Sequence, residues 1–264
     1  MHNEHIHTMI KNPYEHYLFV WFALLLLVYF FATFSSSRRF KRWSVYRTIF
    51  WILGVLCMAA AVIGPIAKHA HTDFTAHMLV HVLLGMLAPL LLVLSAPMTL
   101  FLRTVNVRIG RHFSVVLKSF PVRFLSEPFV ASAINMGGLW ILYTTHLYSL
   151  MHQNIILYLF IHLHVFIAGY LFTVSMISID PTPHRTPFMY RAIVLVIALA
   201  SHGILSKYIY VNPPLDVPEK QAEMGAMLMY YGGDVIDIFF IFIFCSQWYR
   251  SKKSKSKIMK TVST

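Results

Sequence analysis

Two histidines stand four residues apart in HMLVH, His77 to His81, at the mouth of a run with no charged residue from Met78 to Leu102. Residues at i and i+4 share a helix face, so the two imidazoles can point the same way. Further groups of this kind are His162 and His164, His202, His146, and the carboxylates Asp234 and Asp237. Imidazole with carboxylate suits copper, zinc, iron or nickel, and thioether or thiolate suits Cu(I). The chemistry these residues point to is therefore metal ligation, with His77, His81, His162, His202, His146 and Asp234 as the candidate ligands. Cys57 and Cys245 are far apart, form no CxxC pair and indicate no disulfide. Met78, Met151, Met224 and Met227 fall near the same boundary as the histidines, but methionine is also ordinary membrane packing.

The elements that position these groups follow from composition. Of 264 residues, 58% are hydrophobic and only 12% are charged, against about 25% charged in a soluble domain. Such a chain cannot cover a globular surface with polar groups. Seven long apolar runs stand out: Tyr17–Phe34, Val45–Ala67, His77–Leu102, Phe129–Tyr148, Asn154–Ile177, Tyr190–Val211 and Met224–Tyr249. Each is near the ~20 residues that cross ~30 Å of hydrocarbon as a helix. The expected fold is an all-α membrane protein, a seven-transmembrane-helix bundle. Its parts are an outer, His-bearing segment (1–16), the membrane domain (17–249) and a basic tail (250–264). A polar rather than basic stretch precedes the first run, so no cleavable signal is expected. Pro89 and Pro97 predict a kink or an early end in the third run. Thr104–Phe124 mixes Val, Ile and Phe with Arg and Lys, as an interfacial helix does.

The net charge of +12 could suggest nucleic acid, but its placement argues for a membrane. Assigned to alternate sides of the seven runs, the 22 Lys and Arg split 18 to 4. Basic residues mark the cytoplasmic side, so the N-terminus is expected outside and the C-terminus inside. The tail RSKKSKSKIMK then reads as a topology anchor touching anionic lipid. With this orientation His77 sits at the outer boundary and His81 about 6 Å below it. His162, His202 and Asp234 lie about 12, 13 and 15 Å down their own runs, and Asp237 is roughly one turn deeper. His146 closes the fourth run at the outer face. The outer half thus gathers ligating groups and the inner half has none. His162 and His164 diverge by about 200° on an ideal helix, so only one of them can face a shared site. The competing reading is that single histidines are hydrogen-bonded packing residues. Asp234 would then stay protonated, or cap a break at Gly232–Gly233.

Four segments carry a family resemblance: HMLVHVLLGMLAPLLLVLSAPMTLFLR, LWILYTTHLY, HLHVFIAGYLFTVSMISIDP and EKQAEMGAMLMYYGGD. Across roughly Tyr46 to Tyr249 they resemble the CtaG family of multispan assembly factors of aa- and caa-type cytochrome c oxidases, not the unrelated copper chaperone that shares the name. His162 falls on the family histidine seven before Gly169. Where the family usually has an Asp-Gln pair this chain has EKQ, a departure. The resemblance implies a seven-helix fold in the plasma membrane and a non-enzymatic role in maturing the oxidase's metal centres by delivering copper. Its implied partners are cytochrome c oxidase subunits. Two other classes compete. A haem-binding or haem-modifying protein would need axial histidines at matched depths, which these are not. A metal or proton transporter would need polar groups through both halves of the bilayer.

Overall fold

The computed structural model describes residues 13–181 and 186–262. His2, His5 and His7 of the expected outer segment, and His184, lie outside the described residues. The described residues form helices and no strands. In chain order these are α1 (Pro13–Arg39), α2 (Val45–Val62), α3 (Pro65–His69), α4 (Phe74–Leu94), α5 (Pro97–Thr104), α6 (Val107–Leu117), α7 (Phe120–Leu125), α8 (Pro128–Thr144), α9 (Leu147–Gln153), α10 (Ile155–Met176), α11 (Phe188–Val211) and α12 (Glu219–Val262).

Six stretches are long and apolar enough to cross a membrane: His16–Arg38, Val45–His69, Phe74–Leu94, Ile155–Met176, Phe188–Val211 and Glu219–Lys253. The expected fourth run also forms a helix, α8, but it has 17 residues, roughly 25 Å of rise. It packs against α10 and α11. Large apolar side chains face outward along α1 (Leu24, Leu27, Phe31) and α10 (Leu159, Leu163, Ile167). Continuous apolar surface of this extent is tolerated in lipid and not in water.

α4 is the central helix. Of its span 67% is buried, against 11% of α1. Its start is fixed twice: the Asp73 carboxylate accepts from the Ala76 N–H at 2.8 Å, and Gln221 on α12 accepts from the Phe74 N–H at 3.0 Å. Gln221 belongs to the departing EKQ segment, so that segment retains a helix-capping contact. The third run therefore begins one turn before His77 and ends at Leu94, well short of Leu102. Pro89 does not break it. The break comes at Ala96, held left-handed at φ 55°, with Pro97 opening α5. Such a φ is unfavourable for a residue with a Cβ, and Asp180 holds the turn from outside: its carboxylate accepts from the backbone N–H of Met98 and Thr99 and from the Thr99 hydroxyl.

Between His81 and Ala88, α4 widens into a π-helical stretch, Val82–Leu87. Such insertions often mark functional positions. The same stretch carries the tightest helix crossing. A Cβ on Gly169 of α10 would collide with the Gly85 carbonyl, and one on Gly85 would stand 2.8 Å from Val165. The interfacial helix expected over Thr104–Phe124 is two short ones, α6 and α7, neither with a buried residue. α12 runs unbroken through Gly232–Gly233, which removes the competing reading in which Asp234 caps a break there.

Candidate metal-binding site

Sequence spacing sets two imidazoles on α4, and the fold places two more against them. His77 and His162 have ring centres 5.7 Å apart, and His81 and His202 have theirs 6.0 Å apart. His77, His81 and His202 are 3%, 5% and 4% exposed. His162 is half-buried. A metal sits about 2 Å from an imidazole nitrogen, so two rings sharing one ion have centres roughly 5–6 Å apart. Both pairs have that spacing.

Hydrogen bonds fix which nitrogens are available. His162 donates its Nδ1–H to the Tyr158 carbonyl at 2.9 Å, which leaves Nε2 as the lone-pair nitrogen of the neutral ring. His77 meets the Tyr143 hydroxyl through Nε2 at 3.1 Å, while its Nδ1 has no partner. His81 has no partner on either nitrogen, and His202 has none on Nε2. Buried polar atoms are almost always hydrogen-bonded, and leaving one unpaired costs about 1–3 kcal/mol. Four unpaired nitrogens on three neighbouring rings therefore form a donor set that fits a metal better than it fits a packed core.

Glycines make room for the rings. A Cβ on Gly233 would stand 2.7 Å from His202 Cε1, and one on Gly85 would lie 3.4 Å from His81 Nδ1. The rings line two small cavities. One of about 10 Å³ is bounded by His77, His81, His162 and Tyr143. The other, about 30 Å³, is bounded by His81, His202, Asp237, Asn135, Met86 and Met136. Toward the surface an open bowl of about 280 Å³ is lined by His71, His152, Tyr148 and Asp216. The His152 ring centre lies 6.2 Å from that of His77. His71 stacks on Tyr158 at 4.4 Å. It lies outside the spans, and partial burial, with the neighbouring His152, holds it below the usual imidazole range. The groups thus form a line from bowl to core: His71 and His152, then His77 and His162, then His81 and His202.

Two candidates from the sequence are not in this line. His146 is exposed at the start of α9, and Asp234 is exposed on α12. Asp237, one turn along, lines the deeper cavity instead. His164 turns to α8, where a Cβ on Gly138 would meet its Nε2. Met78 and Met151 are buried packing residues, and Met224 and Met227 are exposed. Tyr143 gave no signal in the sequence, because an aromatic at the end of an apolar run looks like any interfacial tyrosine. As placed, no three His, Cys, Asp or Glu side chains among the described residues form a closed metal-holding group.

A family model for the cytochrome c oxidase caa3 assembly factor, CtaG, matches residues 27–251. The chain belongs to the CtaG family of cytochrome c oxidase caa3 assembly factors. The match covers α2 to α11 entirely, and with them every histidine of the line. Uncharacterized proteins of Mycobacterium bovis and Mycobacterium tuberculosis are each 30% identical over 189 residues, and one of Mycobacterium leprae is 28% identical over the same length. The aligned part is 69% of this chain but 29% of each relative, so the chain spans under a third of the length of the curated relatives it matches. No solved structure matches.

Proposed function

We propose that this CtaG-family protein takes up copper as cargo among His77, His81, His162 and His202 and passes it to a cytochrome c oxidase subunit during assembly, without catalysing a reaction. The observation that carries this is the set of buried imidazole nitrogens with no partner on His77, His81 and His202. Neutral imidazole is a ligand for Cu, and each ring's remaining contacts orient it as outer contacts orient metal-bound histidines elsewhere. Tyr143 would hold His77 and the Tyr158 carbonyl would hold His162.

The proposed topology counts α8 as the seventh span. It puts the N-terminus and the bowl outside and the C-terminus in the cytoplasm, following the 18-to-4 split of basic residues. The membrane is the plasma membrane. Haem is disfavoured by size: the cavity at His81 and His202 is about 30 Å³, whereas pockets for such ligands are about 300–1,000 Å³.

Metal analysis of the purified full chain beside a His81→Ala, His202→Ala double variant tests the reading. Wild type should retain copper and the variant should lose it. In cells relying on the variant, oxidase polypeptide should persist while its copper content drops. Unchanged copper in the variant would overturn the assignment. Reporter fusions at Lys253 should read cytoplasmic and those near Val217 external.

A further inference from the structure

The deeper cavity raises a question of donor number. His81 and His202 supply two nitrogens and Asp237 also stands on the cavity wall, but no three His, Cys, Asp or Glu side chains among the described residues are placed to form a metal-holding group. Two imidazoles alone make a poor site for zinc or Cu(II), which look for three or four nitrogen, oxygen or thiolate ligands. The remaining wall does hold two soft donors. Met86 lies on the π-helical stretch of α4, one turn past His81, and Met136 lies on α8. A Cβ placed on Gly233 would stand 3.3 Å from His202 Nδ1 and 3.5 Å from Met86 Cε, so the thioether end and the imidazole share one small space above that glycine.

We infer that the cavity bounded by His81, His202, Met86 and Met136, with Asp237 on its wall, is a site for cuprous ion, with mixed imidazole and thioether ligation. This rests on the copper reading above and assigns the oxidation state and the two further donors. Thioether sulfur is neutral and polarisable; it suits Cu(I) and is a weak ligand for zinc and Cu(II). A monovalent ion also adds less charge than a divalent one to a low-dielectric region, where charge is costly. The 30 Å³ space fits a single ion. The π-helical turn has a part in this: its altered spacing sets Met86 beside His81 on the cavity wall.

The test uses the full chain in detergent, loaded anaerobically with Cu(I) held by a competing chelator, with Cu(II) and zinc as comparators. X-ray absorption of the wild-type cuprous form should show sulfur as well as nitrogen around the metal. The Met86→Leu, Met136→Leu double variant, close to volume-conserving, should lose at least about ten-fold in Cu(I) affinity and leave Cu(II) and zinc affinities unchanged. A nitrogen-only spectrum, or a double variant that binds Cu(I) like wild type, overturns the thioether assignment. If His81→Ala and His202→Ala still remove the metal, the broader copper reading survives that result. If both histidine variants hold Cu(I) normally, the broader reading fails too. The spectrum needs no variant, so a misfolded double variant leaves the question decidable.

Discussion

The two ends of the bundle treat most of their buried polar groups differently, although the buried Ser36 hydroxyl at the α5 end also has no hydrogen-bond partner. At the α5 end, the Tyr29 hydroxyl donates to the Ser95 carbonyl at 3.0 Å and lies 3.3 Å from the Trp43 ring N–H, and the Asp180 carboxylate takes three hydrogen bonds from the first turn of α5. At the bowl end, His77, His81 and His202 are as deeply buried, yet four of their nitrogens go unpaired. A satisfied polar network contributes to stability and fixes geometry; an unsatisfied one lowers stability and persists when something else needs it. On the proposed reading, this difference marks the copper site more sharply than burial or residue type does.

The sharpest way to break the comparison is a pair of crossed substitutions. His81→Leu should lose tight copper binding, by more than about 100-fold, because a first ligand matters at least as much as the outer contacts worth 10–100-fold. The same change should raise thermal stability, since it removes unpaired buried nitrogens worth about 1–3 kcal/mol each. Asp180→Ala should do the reverse. It orphans donors at the start of α5 and should cost about 2 kcal/mol or more, read as a lower melting temperature, with copper affinity unchanged. If His81→Leu destabilises as much as Asp180→Ala, the two ends are alike and the imidazoles are packing.

Tyr143→Phe sharpens the contrast on a smaller scale. Losing the hydroxyl at His77 should weaken copper binding by roughly ten-fold and leave the melting temperature within a degree or two. The pH dependence should be milder still. Because His71 is held below the ordinary value near 6.5, its neutral form, and the stability that goes with it, is present above that value and lost as pH falls through the lower folded one. Loading through the bowl should therefore persist below pH 6.5, and His71→Gln should flatten its later decline in stopped-flow uptake. The smallest effects belong to Asp234→Asn and His146→Ala, which should each change affinity less than about two-fold.

Much of this was legible in the sequence. The i, i+4 spacing set His77 and His81 on one face, and the 200° divergence separated His162 from His164; the fold seats those residues accordingly. Which aspartate faces the cavity was not legible. Asp234 and Asp237 are three apart, and only the rotation of α12 against α4 and α11 selects the second. The length of α8 was hidden because no Asp, Glu, Lys or Arg interrupts the segment from Thr145 to Tyr148, while the backbone has already turned into α9. Methionines near the boundary drew attention through position alone, whereas Met86 and Met136 reach the deeper cavity through the π-helical register and the α8 contact, neither of which leaves a mark in residue order.

The apolar floor of the bundle has a bearing on traffic. Beyond Asp237, successive turns of α12 carry Phe240 and Phe244, packed with Phe172, Met176 and Val194, and the rings of Phe172 and Phe240 are stacked 5.7 Å apart. For the proposed cargo this makes a blind alley with one door. An ion must leave by the way it came, so donor and acceptor proteins have to take turns at the same mouth. Handover then works as a queue at a counter rather than flow through a pipe. Its pace is set by how quickly one visitor departs and the next docks, and the membrane voltage, acting only over the short depth from door to floor, has little to push against.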